Sequence, residues 1–207
     1  MKKKSLALVL ALAMIVVCVV GGTLAWLTDK TAPVTNTFTY GDINITLAES
    51  EDLDLKMVPG YTIDKDPKVT VKAGSEKCYL FVKVEKSTNF DTFMTYTMAA
   101  GWMQLKDASG NDVDGVYYRV VDTDGMGTAY SVLGAGSETY SNVVYTWNDD
   151  QVLVKPTVTK DMLNALNAEG ATQPTLTFTA YACQYMKNGT ENFTAAEAWA
   201  EVNPTTP

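Results

Sequence analysis

Histidine is absent from the 207 residues of this chain. Zinc hydrolases, serine-protease triads and papain-like thiol proteases all depend on an imidazole as a metal ligand or as a general base. The composition excludes those mechanisms and leaves only carboxylate, lysine or metal–oxygen chemistry. A glycosidase would need two acidic residues in defined positions, and the sequence singles out no such pair. We therefore expect a protein that is not an enzyme, with no catalytic residue, no metal ligand and no cofactor.

Basic residues are also few, and they form no cluster in the body of the chain. The 16 lysines and arginines face 24 acidic residues, which gives a formal net charge of -8. Without Lys2, Lys3 and Lys4 the balance is 13 minus 24, or -11. Such a surface repels phosphate backbones, which excludes nucleic-acid binding. The same repulsion keeps an exported protein soluble until salt, divalent cations or low pH weaken it.

The chain has three cysteines, one in the apolar start and two in the body. Cys18 does not fit a lipoprotein signal, because a lipobox needs a small residue before the cysteine and Val17 stands there. Cys78 and Cys183 fall within predicted strands. They would be free to pair in an oxidising compartment, or they could be buried as small hydrophobic residues. The sequence leaves both alternatives open.

The first 25 residues have the organisation of a secretory signal peptide. Three lysines precede an apolar run from Leu6 to Val20, and small residues follow up to Ala25. A membrane-spanning helix needs about 20 apolar residues, so this run is too short for an uncleaved anchor. We predict cleavage between Ala25 and Trp26, contact with a membrane only before cleavage, and a secreted product in the extracellular matrix or at the cell surface.

Short β-strand patterns separated by turn residues dominate the chain after the signal. This spacing predicts a mainly β protein, an antiparallel β-sandwich with two or three short peripheral helices. We expect a single domain over 26–202 and a disordered tail over 203–207. The predicted strands cover 35–47, 69–71, 77–85, 102–105, 116–121, 130–133, 143–147, 152–158 and 175–185. The predicted helices lie in 89–98, in 160–168 after the cap Thr159, and after the capping box Thr194–Glu197.

Four stretches of the chain resemble a known family of exported proteins. They are Gly21–Asp29 at the signal junction, Asn36–Ile43 just after it, Val58–Val84, and Ala180–Trp199 near the C-terminus. With these residues the chain resembles the TasA/camelysin family of Gram-positive biofilm-matrix proteins, which are exported through a SipW-type signal peptidase. The residues from 89 to 158 are covered only loosely.

The resemblance implies a jelly-roll-like sandwich and assembly into extracellular fibres, in which the N-terminal segment of one subunit completes the sheet of the next. Its implied partners are the SipW-type signal peptidase, further copies of the chain and other matrix components. Cleavage would free a β-prone end able to pair with an exposed sheet edge. The candidate donor strand is Thr35, Asn36, Thr37, Phe38, Thr39 and Tyr40. The alternative is that 35–47 forms the first strand of its own subunit.

Camelysin-like proteins have been classed as metallopeptidases, and that activity does not transfer to this chain. An HExxH-type zinc site cannot exist without histidine. A carboxylate metal site is conceivable around Asp122, Asp124 or Asp149–Asp150. These residues lack the spacing of an EF-hand loop, and turn formation accounts for them.

A carbohydrate-binding sandwich at the cell surface is the alternative function. Aromatic rings of such a module would stack on sugars, although aromatic residues in sandwiches also serve as core and cross-strand pairs. The candidate stacking residues are Trp102, Tyr117, Tyr118, Tyr140, Tyr145 and Trp147.

Overall fold

The computed structural model describes residues 42–50 and 55–203, and these residues belong to one compact unit. They form antiparallel β-sheets with three short helices, which confirms the mainly β prediction. The predicted signal peptide, the cleavage point between Ala25 and Trp26, and the candidate donor strand Thr35–Tyr40 lie outside the described residues. Residues 204–207 of the predicted tail also lie outside them.

Within the described ranges the chain forms fourteen strands and three α-helices. The strands are β1 (Ile45–Ala48), β2 (Thr62–Asp64), β3 (Lys68–Val71), β4 (Cys78–Lys86), β5 (Met94–Thr95), β6 (Thr97–Met98), β7 (Met103–Lys106), β8 (Asp112–Val121), β9 (Ala129–Ser131), β10 (Leu133–Gly134), β11 (Gly136–Tyr140), β12 (Val143–Trp147), β13 (Gln151–Val154) and β14 (Leu176–Gln184). The helices are α1 (Phe90–Phe93), α2 (Lys160–Ala165) and α3 (Ala195–Val202), and a 3₁₀ turn spans Thr123–Gly125.

A four-stranded sheet in the order β14-β4-β8-β7 forms the centre of the fold. Its longest apolar strand is β4, where successive side chains point to opposite faces. Leu80, Val82 and Val84 are buried on one face, as the alternation predicts. Tyr79 and Phe81 are buried on the other face, which the sequence analysis did not foresee. The central sheet is therefore covered on both sides.

The inner face of the central sheet packs against a second sheet in the order β1-β3-β9. Val69 and Val71 of β3 are fully buried in the same core cluster as Leu80 and Val82 of β4. Phe178 of β14, which lies opposite Val84 on the same face of the central sheet, also packs against this cluster. Two antiparallel sheets with a shared apolar core constitute the predicted β-sandwich. The jelly-roll topology stays a prediction.

The C-terminal helix α3 covers the outer face of the central sheet. Its capping box forms as predicted: Glu197 N donates to Thr194 Oγ1 at 3.3 Å, and Thr194 N donates to Glu197 Oε2 at 2.9 Å. Trp199 is then buried on Phe81, with ring centroids 5.3 Å apart. The aromatic residues that the sequence shows on alternate positions of β4 are thus buried by a helix from the chain end.

Smaller sheets and the two other helices surround a second apolar core that contains Phe90, Leu133 and Val154. Helix α2 begins at the predicted cap, where Met162 N donates to Thr159 Oγ1 at 3.2 Å. The predicted helix over 89–98 is wrong beyond α1, since the chain continues as β5 and β6. The two strands join different sheets, β5 by pairing with β13 and β6 by pairing with β10, and this pairing outweighs the weak helical spacing.

The two cysteines of the described chain do not form a disulfide. On the paired strands β4 and β14, Cys78 lies opposite Gln184 and Cys183 lies opposite Tyr79. Cys183 is therefore one position away from the residue opposite Cys78. Since successive side chains of a strand alternate between the two faces, the two thiols lie on opposite faces of the sheet. Both thiols are buried, Cys78 in the inner core and Cys183 in the outer one. They behave as small hydrophobic residues, the second of the two alternatives.

Candidate assembly surface

The chain before β1 is tied to its own sandwich by backbone hydrogen bonds. Lys72 N donates to Asn44 O at 2.8 Å, and Glu76 N donates to Asp42 O at 3.0 Å. Asn44 N donates to the hydroxyl of Ser75 at 3.1 Å. Strand β1 then pairs with β3 from Ile45 to Ala48. The described part of the predicted 35–47 strand, residues 42–47, therefore belongs to its own subunit.

Two sheet edges lie next to each other on one side of the sandwich. Strand β1 pairs with β3 alone among the described strands, and β14 pairs with β4 alone. The two edge strands are in contact with each other across the layers. An edge strand presents backbone N–H and C=O groups without a strand partner, which is the geometry to which a further strand can add. The side chain of Leu47 on β1 is 38% exposed there.

A groove runs along the start of β14 beside these edges, and we call it the edge groove. One part, about 290 Å³, lies between β1 and β14. The other part, about 420 Å³, continues below Gln173–Thr177 and is mostly apolar. Both parts share Lys65, Leu176 and Thr177. The remaining apolar lining consists of Leu47, Ala48, Leu55, Met57, Ile63, Pro67, Phe90, Met94, Val152, Pro174 and Phe178.

Charged groups at the rim of the edge groove are paired. Lys65 Nζ lies 2.6 Å from Glu49 Oε1 and 5.5 Å from the ring centroid of Phe178. The carboxylate of Asp66 accepts hydrogen bonds from Ser50 N at 2.9 Å and from Ser50 Oγ at 2.8 Å, and these bonds lower the pKa of Asp66. The pairs hold the chain after β1 against the rim. The larger part of the groove, below Gln173–Thr177, is mostly apolar.

The acidic residues considered as metal ligands have turn roles in the structure. Asp122 accepts from Thr123 N at 2.8 Å at the start of the 3₁₀ turn, and it forms a 2.7 Å ion pair with Lys77. Asp149 Oδ1 accepts from Ala135 N at 2.7 Å. Across residues 42–50 and 55–203, no three histidine, cysteine or acidic side chains cluster as a metal site would require.

The two tryptophans proposed to stack on sugars are buried, so this prediction is wrong for them. Trp102 is 8% exposed and Trp147 is 4% exposed. The indole N–H of Trp102 donates to Ser131 O at 2.8 Å within the fold. Tyr140 of β11 and Tyr145 of β12 are diagonal neighbours across the strand pair, and their rings meet edge to face with centroids 5.9 Å apart. These aromatic residues serve the structure, in the way that sandwiches commonly use them.

No protein-family model, curated protein or solved structure matches this chain. In the part of the chain that the structure describes, no helix has the length and apolar character needed to cross a membrane. The resemblance to the TasA/camelysin family stays a prediction from the motifs. The edge groove was not foreseen, because its lining comes from several separate segments and no local pattern brings them together.

Proposed function

We propose that the protein is a secreted structural component of the extracellular or biofilm matrix, or of the cell surface. It assembles into fibres when the N-terminal strand of one copy adds to the sheet edge of the next. The observation that carries the proposal is the edge groove, which lies beside the edge strands β1 and β14 and is mostly apolar in its larger part. The function follows the implication of the family resemblance.

The leading segment has the chemistry that such an edge accepts. In an extended strand alternate side chains share a face, so an added strand over 37–40 would have Phe38 and Tyr40 on one side and Thr37 and Thr39 on the other. The aromatic face would enter the apolar groove while the backbone pairs with β14. Strand addition of this kind takes its affinity from main-chain hydrogen bonds and its specificity from pockets for alternate side chains.

Proteolysis controls assembly in this account. Before a SipW-type signal peptidase acts, the leading segment is held at the membrane by the apolar run from Leu6 to Val20 and cannot reach a neighbour. After cleavage at Ala25, the segment from Trp26 is free. The acidic surfaces of two copies still repel each other, so salt or divalent cations favour assembly by screening that repulsion.

Comparison of two purified chains tests the proposal. One begins at Trp26 and the other at Asp42, so both retain the hydrogen bonds that hold β1. We expect fibres in electron micrographs and fast sedimentation only for the chain that begins at Trp26. A Phe38→Lys variant of that chain should assemble poorly, whereas Thr37→Ser on the opposite face should assemble normally. Equal assembly of the long and short chains would remove the N-terminal strand from the mechanism.

A further inference from the structure

Arg119 is the only arginine in the sequence, and it occupies an unusual place for a cation. It lies on β8 opposite Leu80 of β4, two positions from Val121, and so belongs to the row of side chains that faces the inner core. Alternate residues of a strand share a face. The side chain is neither buried nor fully exposed, which places the guanidinium at the border of the core.

Two aromatic rings flank the guanidinium of Arg119. Its Cζ atom lies 3.8 Å from the ring centroid of Tyr130 and 5.3 Å from that of Trp102. Each ring is fixed by a hydrogen bond of its own: Tyr130 Oη donates to Gly125 O at 2.9 Å, and Trp102 Nε1 donates to Ser131 O at 2.8 Å. A planar guanidinium stacks well on such rings, which attract its charge. The cation is therefore held in one position before any ligand arrives.

Gly101 provides the space for one end of the guanidinium. A Cβ atom at this position would lie 2.7 Å from Nη2 of Arg119, too close for an unchanged side chain. The backbone of Gly101 has a φ of +88°, which glycine adopts without strain. A larger residue here would displace the charged group from its position beside the rings of Tyr130 and Trp102.

Arg119 has no acidic partner among residues 42–50 and 55–203. No described carboxylate lies within ion-pair distance of its guanidinium, and its N–H groups donate no hydrogen bond to any described residue. Seven described lysines do form such ion pairs: Lys65, Lys68, Lys77, Lys83, Lys86, Lys106 and Lys187. Burial lowers the pKa of Arg119, which reflects a charge partly removed from water. A half-desolvated cation whose five donors have no partner among the described residues is suited to bind an anion.

We propose that Arg119, with Trp102, Tyr130 and Gly101 around it, forms a binding site for a carboxylate group. The guanidinium fork matches a carboxylate in two parallel N–H···O bonds, and such charge-assisted bonds are about twice as strong as neutral ones. The rings of Tyr130 and Trp102 lie within 3.8 Å and 5.3 Å of Cζ and hold the guanidinium in place. The carboxylate comes either from a small free acid or from a second copy of this acidic chain. The site does not depend on the proposed fibre.

The single arginine makes the test direct, since selective labelling with ¹⁵N-arginine gives one Nε–Hε signal in the NMR spectrum. The chain that begins at Asp42, which should form no fibres and contains all the described residues of the compact unit, is titrated with sodium acetate, with chloride replaced to keep the ionic strength constant. We expect a signal shift that saturates. A shift that grows linearly and without limit, like that of free arginine, would overturn the proposal.

Two glycine variants provide a matched comparison for the same titration. Gly101→Ala places a methyl group against Nη2 of Arg119, while Gly74→Ala places one in open space at a similar φ of +85°. We expect acetate affinity to fall about tenfold or more in Gly101→Ala, the loss of roughly one charge-assisted hydrogen bond, and to stay unchanged in Gly74→Ala. Equal affinities in two folded variants would overturn the assigned geometry. If Gly101→Ala does not fold, the acetate titration of the unaltered chain is sufficient to test the proposal.

A dilution series without acetate identifies the source of the carboxylate. If the Nε–Hε signal moves with protein concentration and acetate reverses the movement, the group belongs to a second copy. If the signal is independent of protein concentration and acetate still saturates, the site takes free acids. Either result supports the site. The absence of both effects would contradict it.

Discussion

The indole of Trp199 meets the ring of Tyr181 edge to face, with centroids 5.2 Å apart and planes at 86°. This contact and the one with Phe81 attach α3 to the outer face of the central sheet. We expect Trp199→Ala to lower the free energy of unfolding by about 3–5 kcal/mol, as truncation of a buried tryptophan usually does. Urea denaturation measures the change. Tyr61→Ala is the control: that side chain is 69% exposed, and its loss should cost less than about 0.5 kcal/mol.

Gly115 of β8 lies against the backbone of β4. A Cβ atom there would lie 2.3 Å from the carbonyl oxygen of Val84, and the φ of Gly115 is +67°. Gly74 has a φ of +85° with open space around it. Gly74→Ala should therefore lower the free energy of unfolding only by the strain of a positive φ in a residue with a Cβ atom, about 1–2 kcal/mol. Gly115→Ala should cost at least about twice as much in thermal or urea unfolding. Similar decreases in the free energy of unfolding for the two variants would mean that β4 and β8 move apart to admit the methyl group at no additional energetic cost.

The thiols of Cys78 and Cys183 should be unreactive in the folded protein. Both side chains are buried, and burial raises the pKa of Cys78 to about 11 and raises that of Cys183. Since only the thiolate reacts readily, the chain that begins at Trp26 should titrate with a thiol reagent at pH 8 only slowly when native. In denaturant two thiols per chain should react at once. A chain with no free thiol in denaturant would mean that the cysteines pair after all.

The cap of α3 should make the stability of the protein depend on acidity. The ammonium of Lys187 and the hydrogen bonds from Thr194 lower the pKa of Glu197 from 4.5 to about 2. A carboxyl group with a lowered pKa stabilises the fold above its unfolded value, and this contribution is lost as the pH falls from about 4.5 towards 2.

Glu197→Gln isolates this contribution from that of the other carboxyl groups. Unfolding free energies of the variant and the unaltered protein should differ most above pH 5 and converge near pH 2. A difference that stays constant over this range would show that the charge of Glu197 contributes nothing. Salt should reduce the difference, because the pair with Lys187 is exposed.

Local patterns predicted those elements whose own residues determine them. The alternation of β4 predicted its strand and its inner face, and the pair Thr194 and Glu197 predicted the start of α3. The strand β14 and the helix α2 also follow patterns that are complete within their own segments. In each case short-range side-chain spacing and tertiary packing favour the same structure.

The sequence was less informative where distant residues decide the outcome. The stretch after Phe93 became strands because β13 and β10 lie beside it. The strand β11 was missed because Ser137, Glu138 and Thr139 carry no apolar alternation, and its pairing with β12 through the turn at 141–142 determines it. The edge groove and the proposed carboxylate site around Arg119 likewise combine residues from separate segments. Residue spacing within a single segment cannot predict such a combination.

Cross-linking between isotope-labelled copies tests the central claim most directly, because it separates a strand donated to a neighbour from a strand folded into its own subunit. Lys30 lies in the leading segment, and Lys65 lines the edge groove. Equal amounts of ¹⁴N and ¹⁵N chains that begin at Trp26 are mixed before assembly and then linked with a lysine reagent. Mass spectrometry should show Lys30–Lys65 peptides that combine one light and one heavy partner. Linked peptides that are wholly light or wholly heavy, with no mixed species, would contradict assembly through the N-terminal strand.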